Sequence, residues 1–242
     1  MSALPQHASR GRDALVAAGE LGPFFRVEAR PESDWTSWAA LTEDAAVLGR
    51  RTAQVRAVLA AGPGRPAPEP AVVASLTHLG LVARLVSPLL GAALVSGVLP
   101  VVPVEQVHVR LAGANPLPLA LLPRSAAVVG SPAELVAAFS RFWLAPAVEP
   151  LTLAVRASVA LSRQVLDGNV TSAVAGALRM AGTARSGLMS GAGAVLDELL
   201  SGPFAGTGYR RDDGSYVRRS CCLLYRLPGA GTCGDCVLGE RH

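Results

Sequence analysis

Residues 218–236 read RRSCCLLYRLPGAGTCGDC, and this stretch contains every cysteine of the 242-residue chain. Cys221 and Cys222 are adjacent, ten residues follow, and Cys233 and Cys236 then enclose a Gly-Asp pair. Four thiolates form a complete ligand shell for zinc or for an iron–sulfur cluster. The stretch therefore predicts a metal site in the C-terminal part of the chain.

Three interpretations of these cysteines compete. Residues 1–13 contain no apolar run and predict no secretory signal, so the thiols should stay reduced and disulfides are disfavoured. Structural zinc usually binds two C-x-x-C knuckles, but Cys221 and Cys222 are adjacent, and adjacent side chains diverge in extended backbone. A [2Fe–2S] cluster offers two irons for attachment. The spacing therefore favours the cluster modestly and leaves zinc as an alternative.

The same stretch resembles the C-terminal signature of the FhuF-type ferric-siderophore reductases, in which a C-C-x10-C-x2-C array binds a [2Fe–2S] cluster. All four cysteines match that array in type and spacing, whereas Val237 stands where the family pattern has proline. Other residues of the stretch that fit the pattern are Ser220, Tyr225, Gly234 and Asp235. The resemblance implies that the cluster ligands are Cys221, Cys222, Cys233 and Cys236.

Two weaker matches extend the resemblance upstream, so that it covers about residues 71–242. They are His78-x5-Arg84-x3-Pro88 and Ser162-Arg163-x3-Leu166-x-Gly168-Asn169. The resemblance suggests that His78 and Arg84 line a pocket facing the ferric chelate. Residue chemistry alone favours a core histidine bonded to the backbone, and it makes Asn169 after Gly168 a turn or a helix cap.

The resemblance implies one-electron reduction of a ferric siderophore in the cytoplasm. Siderophore oxygen donors are hard ligands that hold Fe(III) far better than Fe(II), so reduction weakens the complex and releases iron. The glycine pairs of the sequence lack the strand and helix of a nucleotide-binding loop, which predicts an external donor such as a ferredoxin or a flavin reductase. Two alternatives stay open: a [2Fe–2S] electron-transfer protein without siderophore specificity, and a non-redox structural zinc protein.

Five arginines lie close in sequence to the first cysteine pair: Arg210, Arg211, Arg218, Arg219 and Arg226. Positive charge near an anionic cluster raises its reduction potential. Exposed arginines also attract an anionic chelate or an acidic electron donor. We expect this group to form a docking face for the substrate or the donor. The alternative is a hairpin with ordinary solvated surface charges.

The composition predicts a substantial apolar core, because 50% of the residues are hydrophobic and 17% are charged. The net charge of +4 is modest and no basic stretch is interleaved with aromatics, so nucleic acid is not an expected partner. Residues 85–104 are uncharged and long enough to span a membrane, but their prolines favour a buried helix over 70–97. We therefore expect no transmembrane span, and peripheral membrane association stays open.

The pattern of apolar positions and helix breakers predicts an α+β fold that is mainly helical, with a small antiparallel sheet and a cysteine-rich C-terminal segment. We divide the chain into an N-terminal helical region with a Pro/Gly-rich linker (1–70), a FhuF-like core (71–205) and a cluster-binding segment (206–242). The predicted helices cover 33–61, 70–97, 132–144, 151–167, a following stretch to about 181, and 187–200. The predicted hairpins cover 107–122 and, around Asp213-Gly214, 209–217.

Overall fold

The computed structural model describes residues 3–61, 66–113 and 115–239, and within them the protein is mainly helical. This architecture confirms the predicted α+β class. The helices are α1 (Ala3–Gly19), α2 (Trp38–Glu43), α3 (Ala45–Ala60), α4 (Pro70–Ser96), α5 (Pro132–Phe139), α6 (Glu149–Ser158), α7 (Arg163–Ala184) and α8 (Met189–Ser201). A π-helical segment, Ser140–Val148, joins α5 to α6. Single 3₁₀ turns lie at Pro23–Phe25, Val104–Gln106, Ser186–Leu188 and Leu224–Arg226.

Within these described ranges, the strands form three small antiparallel sheets. They are β1 (Thr36–Ser37), β2 (Val98–Val101), β3 (Val107–Val109), β4 (Leu119–Leu121), β5 (Ser125–Val128), β6 (Gly208–Arg210) and β7 (Tyr216–Arg218). Strand β3 lies between β1 and β4, with Val107 opposite Leu121. Strand β2 pairs with β5, and β6 pairs with β7. Both predicted hairpins, β3–β4 and β6–β7, are therefore confirmed.

Helix α4 is the main core element and follows its predicted span closely. Pro70 occupies the first turn, where no backbone donor is needed, and Gly97 ends the helix with a φ of 65°. The helix packs against α1 and α7. In the described part of the chain it is the single helix long and apolar enough to cross a membrane, and 67% of that window is buried. Such burial fits a helix of the protein core.

The predicted helix over 33–61 is wrong in its continuity. The chain instead forms β1 and then two separate helices, α2 and α3. Ser37 caps α2 by accepting a backbone N–H at 3.1 Å, and Asp44 caps α3 in the same way at 2.8 Å. Such short polar side chains compete with the helix for backbone N–H groups, so the apolar stripe continues across a break. Residues 62–65 of the predicted linker lie outside the described residues.

The helices around residue 150 also differ from the prediction. The first was expected to end at 144, but α5, the π-helical segment and α6 form one helical run to Ser158. The wider π-helical turns accommodate Pro146, which lacks the N–H that an α-helix uses. Helix α7 begins after its cap Ser162 and continues through Gly168, where the sequence predicted a helix end.

One hydrophobic core includes residues from the N-terminal, middle and C-terminal parts of the chain, among them Leu15, Leu85, Leu178 and Tyr216. A shared core does not by itself define or exclude separate folding units. The division into 1–70, 71–205 and 206–242 therefore stays a prediction.

Candidate metal centre

The β6–β7 hairpin delivers the chain to the first cysteine pair. Gly214 has a φ of 82° in the turn, a conformation that favours glycine. The Arg211 N–H donates to Ser215 O across the turn at 2.9 Å. Strand β7 ends at Arg218, shortly before Cys221. The predicted turn thus determines where the cysteine segment leaves the hairpin.

The second cysteine pair returns to the first through a backbone hydrogen bond. The Arg218 N–H donates to Asp235 O at 3.1 Å, and Asp235 lies between Cys233 and Cys236. The Ser172 hydroxyl of α7 donates a hydrogen bond to the Asp235 carboxylate. The turn that carries the second pair is therefore attached both to β7 and to α7.

Backbone N–H groups bond to two of the sulfur atoms. Leu223 N lies 3.3 Å from Cys221 Sγ, and Leu238 N lies 3.3 Å from Cys236 Sγ. Leu223 has a φ of 70°, a left-handed conformation that is uncommon for a residue with a side chain. N–H···S hydrogen bonds favour the thiolate form that metal binding requires. The backbone of the segment is thus shaped around its sulfur atoms.

The four thiols differ in burial and acidity. Cys222 and Cys236 are buried, whereas Cys221 and Cys233 are half-buried. The pKa of Cys222 falls to about 6, chiefly through its hydrogen bond with the Cys233 thiol, and the pKa of Cys233 rises because that thiol keeps the shared proton. Burial raises the pKa of Cys221. Cys222 is therefore the more acidic thiol of this pair.

The chemistry of this donor set fits a [2Fe–2S] cluster, which four thiolates can hold. Cys222 and Cys233 lie in hydrogen-bonding contact. Cys221, Cys222, Cys233 and Cys236 are the residues that would hold the cluster.

Arg218 is fully buried beside the cysteines, with 0% of its surface exposed. Its Nη2 donates to Asn169 Oδ1 at 2.9 Å, to a backbone carbonyl of α7 at 3.3 Å and to Ser220 Oγ at 3.4 Å. Its Nε and Nη1 have no hydrogen-bond partner in the described part of the chain. Its positive charge favours the thiolate forms of Cys221 and Cys222.

Asn169 and Ser75 connect this arginine to the helical frame. Asn169 Nδ2 donates to the backbone and side-chain oxygens of Ser75, both at 3.0 Å. Ser75 Oγ in turn donates to Cys222 O at 2.9 Å. The predicted role of Asn169 as a turn or cap is wrong, because it lies inside α7 and is completely buried. Neither Ser75 nor Ser172 carried a signal in the sequence, since nothing local marks a helical serine as the partner of a distant segment.

Gly168 lets the cysteine segment approach α7 closely. A Cβ at this position would lie 2.0 Å from Ser220 Oγ and 2.8 Å from Arg218 Nη2. Those distances leave no room for a side chain, so glycine serves the packing here and not the end of a helix. The Gly168-Asn169 pair was the visible sequence signal for this contact.

The five arginines predicted to form a docking face occupy different environments. Arg218 is buried, which contradicts a role for it on an exposed face. Arg210 forms an ion pair with Asp197 at 2.9 Å, and Arg226 forms one with Glu69 at 3.0 Å. Arg211 and Arg219 are exposed at the surface.

His78 and Arg84 are buried in the core, which does not fit the predicted pocket facing the ferric chelate. His78 Nε2 lies 3.1 Å from Thr152 Oγ1, and burial lowers the pKa of His78 to about 3, so its ring is neutral. The Arg84 guanidinium donates to three backbone carbonyls, one from each of its nitrogens. Both side chains therefore stabilise the packing of α4.

An open cleft of about 760 Å³ lies beside the cysteine turn. Its wall includes Gly234 and Asp235 of that turn, the hairpin tip at 213–215, and parts of α7 and α8. Apolar and charged side chains that line it include Met180, Met189, Leu196, Arg179, Arg210 and Asp213. Of the predicted docking residues, Arg210 is therefore placed in the cleft wall, whereas His78 and Arg84 are not among the described residues of its lining.

Comparison with protein families matches residues 218–238 to the FhuF 2Fe-2S C-terminal domain. The chain thus carries an iron–sulfur domain of the FhuF type, which confirms the resemblance stated from the sequence, and its cofactor is a [2Fe–2S] cluster. The matched segment contains all four cysteines and Arg218. No curated protein matches the chain. The zinc alternative has no support from this match.

Proposed function

We propose that this protein is a ferric-siderophore reductase that converts chelated Fe(III) to Fe(II) in the cytoplasm and so serves iron acquisition. The iron–sulfur domain itself is established by the family match. The observation that supports the finer proposal is the open cleft that shares Gly234 and Asp235 with the cysteine turn.

The proposed ligands of the cluster are Cys221, Cys222, Cys233 and Cys236. When bound, a [2Fe–2S] cluster supplies single electrons. The chain contributes two buried and two half-buried sulfur donors, and backbone N–H groups that favour their thiolate forms. The half-buried donors keep the site near the surface, which shortens the distance to a docked molecule.

The cleft has the size and lining of a small-molecule site. Its volume of about 760 Å³ falls within the roughly 300–1,000 Å³ range of such sites. Met180 and Met189 offer adaptable apolar contacts, and Arg179 and Arg210 offer cationic donors to an oxygen-rich chelate. A chelate held there would lie against the cluster-binding segment.

Ligand hardness explains how reduction releases the iron. One electron converts Fe(III) to Fe(II), while the hard oxygen donors of the siderophore stay chemically unchanged and bind Fe(II) much more weakly. The sequence contains no nucleotide-binding loop in a strand–loop–helix setting, so we assign the supply of electrons to an external donor, such as a ferredoxin or a flavin reductase.

A single-turnover experiment tests this function. Protein that has been reduced anaerobically and freed of excess reductant is mixed with a ferric siderophore and an Fe(II)-trapping chelator. We expect Fe(II) to appear as the visible absorbance of the oxidised protein returns, and no Fe(II) with Cys222→Ala. Reoxidation that is no faster with ferric siderophores than with an unrelated acceptor of similar potential would indicate a general electron carrier.

A pair of glycine variants tests whether the chelate docks in the cleft. Gly176 lines the cleft, and a Cβ there meets no atom within 4 Å, so Gly176→Phe narrows the cleft without a backbone clash. Gly49→Phe is the matched control, because Gly49 is exposed on α3 and its Cβ also meets nothing within 4 Å. We expect Gly176→Phe to raise the KM for the ferric siderophore roughly tenfold. An unchanged KM would place the chelate elsewhere.

A further inference from the structure

Arg218 differs from the other buried arginine that the sequence singled out. The Arg84 guanidinium donates from all three of its nitrogens to backbone carbonyls, so its hydrogen-bonding capacity is used within the protein. Arg218 is at least as deeply buried, yet its Nε and Nη1 have no partner among the described residues. An unpaired buried cation is costly unless it meets negative charge. The described chain therefore provides no hydrogen-bond partner for these two nitrogens of Arg218.

No carboxylate in the described chain forms an ion pair with Arg218. The Asp235 carboxylate, which is close in the fold, bonds to the Ser172 hydroxyl. Arg218 lies beside both cysteine pairs: its Nη2 donates to Ser220 Oγ at 3.4 Å, next to Cys221, and its backbone N–H donates to Asp235 O at 3.1 Å, between Cys233 and Cys236. The missing counter-charge is thus expected at the sulfur atoms. A four-thiolate cluster is anionic and gains one further negative charge on reduction.

The surrounding residues fix the position of this guanidinium. Asn169 Oδ1 accepts from Nη2 at 2.9 Å, and Asn169 is itself held by Ser75. Ser75 also bonds to the backbone of Cys222, so one network sets both the arginine and the cysteine pair. Gly168 provides the space, since a Cβ there would lie 2.8 Å from Nη2. Elements α4, α7 and β7 therefore all contribute to placing one charge.

We propose that Arg218 is a positioning residue that raises the reduction potential of the cluster, because it places an unpaired positive charge beside the cysteine ligands. Asn169 holds the guanidinium in position, and Gly168 leaves the space that it occupies. The inference rests on the proposed ligation by the four cysteines. A fixed, buried positive charge stabilises the more negative, reduced form, and low local polarity strengthens the effect. Exposed arginines of the hairpin act much more weakly, because solvent screens them.

A redox titration of intact cluster-containing protein tests the inference. Arg218→Gln removes the positive charge, whereas Arg218→Lys keeps the charge but loses the planar guanidinium group. Arg219→Gln is the control, because it removes the same charge from an exposed neighbour. We expect Arg218→Gln to lower the equilibrium constant for reduction of the cluster by a fixed donor couple at least tenfold. For one electron, this corresponds to a potential about 59 mV lower. Arg218→Lys should recover part of the loss. Arg219→Gln should change the equilibrium roughly threefold or less.

Asn169→Asp supplies a second test for the case in which Arg218→Gln does not retain its cluster. This change keeps the acceptor for Nη2 and adds a negative charge against the guanidinium, although it removes the Nδ2 donation to Ser75. We expect a lower potential together with an altered electron paramagnetic resonance spectrum of the reduced protein. Wild-type potentials in Asn169→Asp, or equal potentials in Arg218→Gln and Arg219→Gln, would overturn the inference.

The inference and the proposed function fail in different ways. A shifted potential in Arg218→Gln, together with wild-type protein that does not reduce ferric siderophores, would retain the role of Arg218 and reject the reductase. Conversely, wild-type protein that reduces ferric siderophores, together with an unshifted potential in Arg218→Gln, would retain the reductase and reject the role of Arg218. Iron and sulfide analysis of each preparation shows that the compared proteins carry the same cluster.

Discussion

Helix α4 and the cysteine segment at 219–239 are ordered by opposite kinds of interaction. Apolar burial fixes α4, whose core positions such as Leu81, Leu85 and Leu89 are almost completely inaccessible to solvent. The cysteine segment contains one 3₁₀ turn and no other helix or strand among its described residues, and residues 228–232 are all exposed. Its anchors are the buried Cys222 and Cys236 and the polar network at Arg218.

The difference indicates which part of the molecule depends on the metal. Helix α4 removes many apolar side chains from water, and this burial stabilises the helical frame without a metal. The cysteine segment buries little apolar surface, and metal binding contributes folding free energy where a segment cannot supply its own. We therefore expect the helical frame to fold without the cluster, and the segment to become ordered with it.

The largest expected effect comes from removing a cysteine. Alanine at Cys221, Cys222, Cys233 or Cys236 should abolish or destabilise the cluster, because each is a proposed thiolate ligand of its irons. The far-ultraviolet circular dichroism spectrum should keep its helical signal, since the helices lie outside the segment. Iron and sulfide analysis with visible spectroscopy checks the first expectation. A stable, full-strength cluster in Cys222→Ala would remove the adjacent pair from the ligand set.

A smaller but still strong effect should arise where the frame meets the segment. Gly168→Ala places a Cβ 2.0 Å from Ser220 Oγ, so the segment must move away from α7. We expect a loss of roughly 1–3 kcal/mol in the free energy of unfolding, as for other overpacked sites, and a reduced iron content. Urea unfolding and iron analysis measure both.

The matched control for this change is Gly176→Ala in the same helix. A Cβ at Gly176 meets nothing within 4 Å. Alanine there should stabilise the protein by about 0.5–1 kcal/mol, because glycine is unfavourable inside a helix. Equal effects of the two substitutions would show that the segment does not pack against α7 at Gly168.

The frame should also have a pH dependence of its own, through His78. Burial lowers the pKa of His78 from 6.5 to about 3 in the folded protein, so the unfolded chain binds the extra proton between these values. The contribution of neutral His78 to the free energy of unfolding is therefore fully present above pH 6.5. It is lost as the pH falls towards 3, by at most about 1.4 kcal/mol per pH unit. His78→Gln should flatten this slope. Denaturant unfolding in a Cys222→Ala background measures this pH dependence without contributions from the acid lability of the cluster. Parallel slopes with His78 and with His78→Gln would contradict the prediction.

The smallest expected effect concerns the exposed charges of the hairpin. Neutral substitution of Arg210, Arg211 and Arg219 should slow reduction of an anionic ferric chelate by a few-fold, roughly, and flatten its dependence on salt. A neutral chelate should respond less. Stopped-flow measurements across ionic strengths compare the two chelates. Identical salt slopes for wild type and variant would mean that these arginines are ordinary surface charges.

Local signals identified much of the fold. The Pro70 start and Gly97 end of α4, the Asp213-Gly214 hairpin and the Ser131 cap of α5 are each encoded by a few adjacent residues. The errors occurred where one local signal competed with another. Polar caps interrupted the helix predicted over 33–61, and π-helical turns carried the chain past Pro146.

The sequence by itself determined the chemistry of the site, because the type and spacing of four cysteines are properties of one short stretch that the family match also covers. Only the tertiary structure decided which other side chains serve that stretch. It placed Arg218 in the interior, turned Gly168 from a helix end into a contact point, and made Asn169 the link to α4. Burial and hydrogen-bond partners depend on segments far apart in the chain, so no local pattern can specify them.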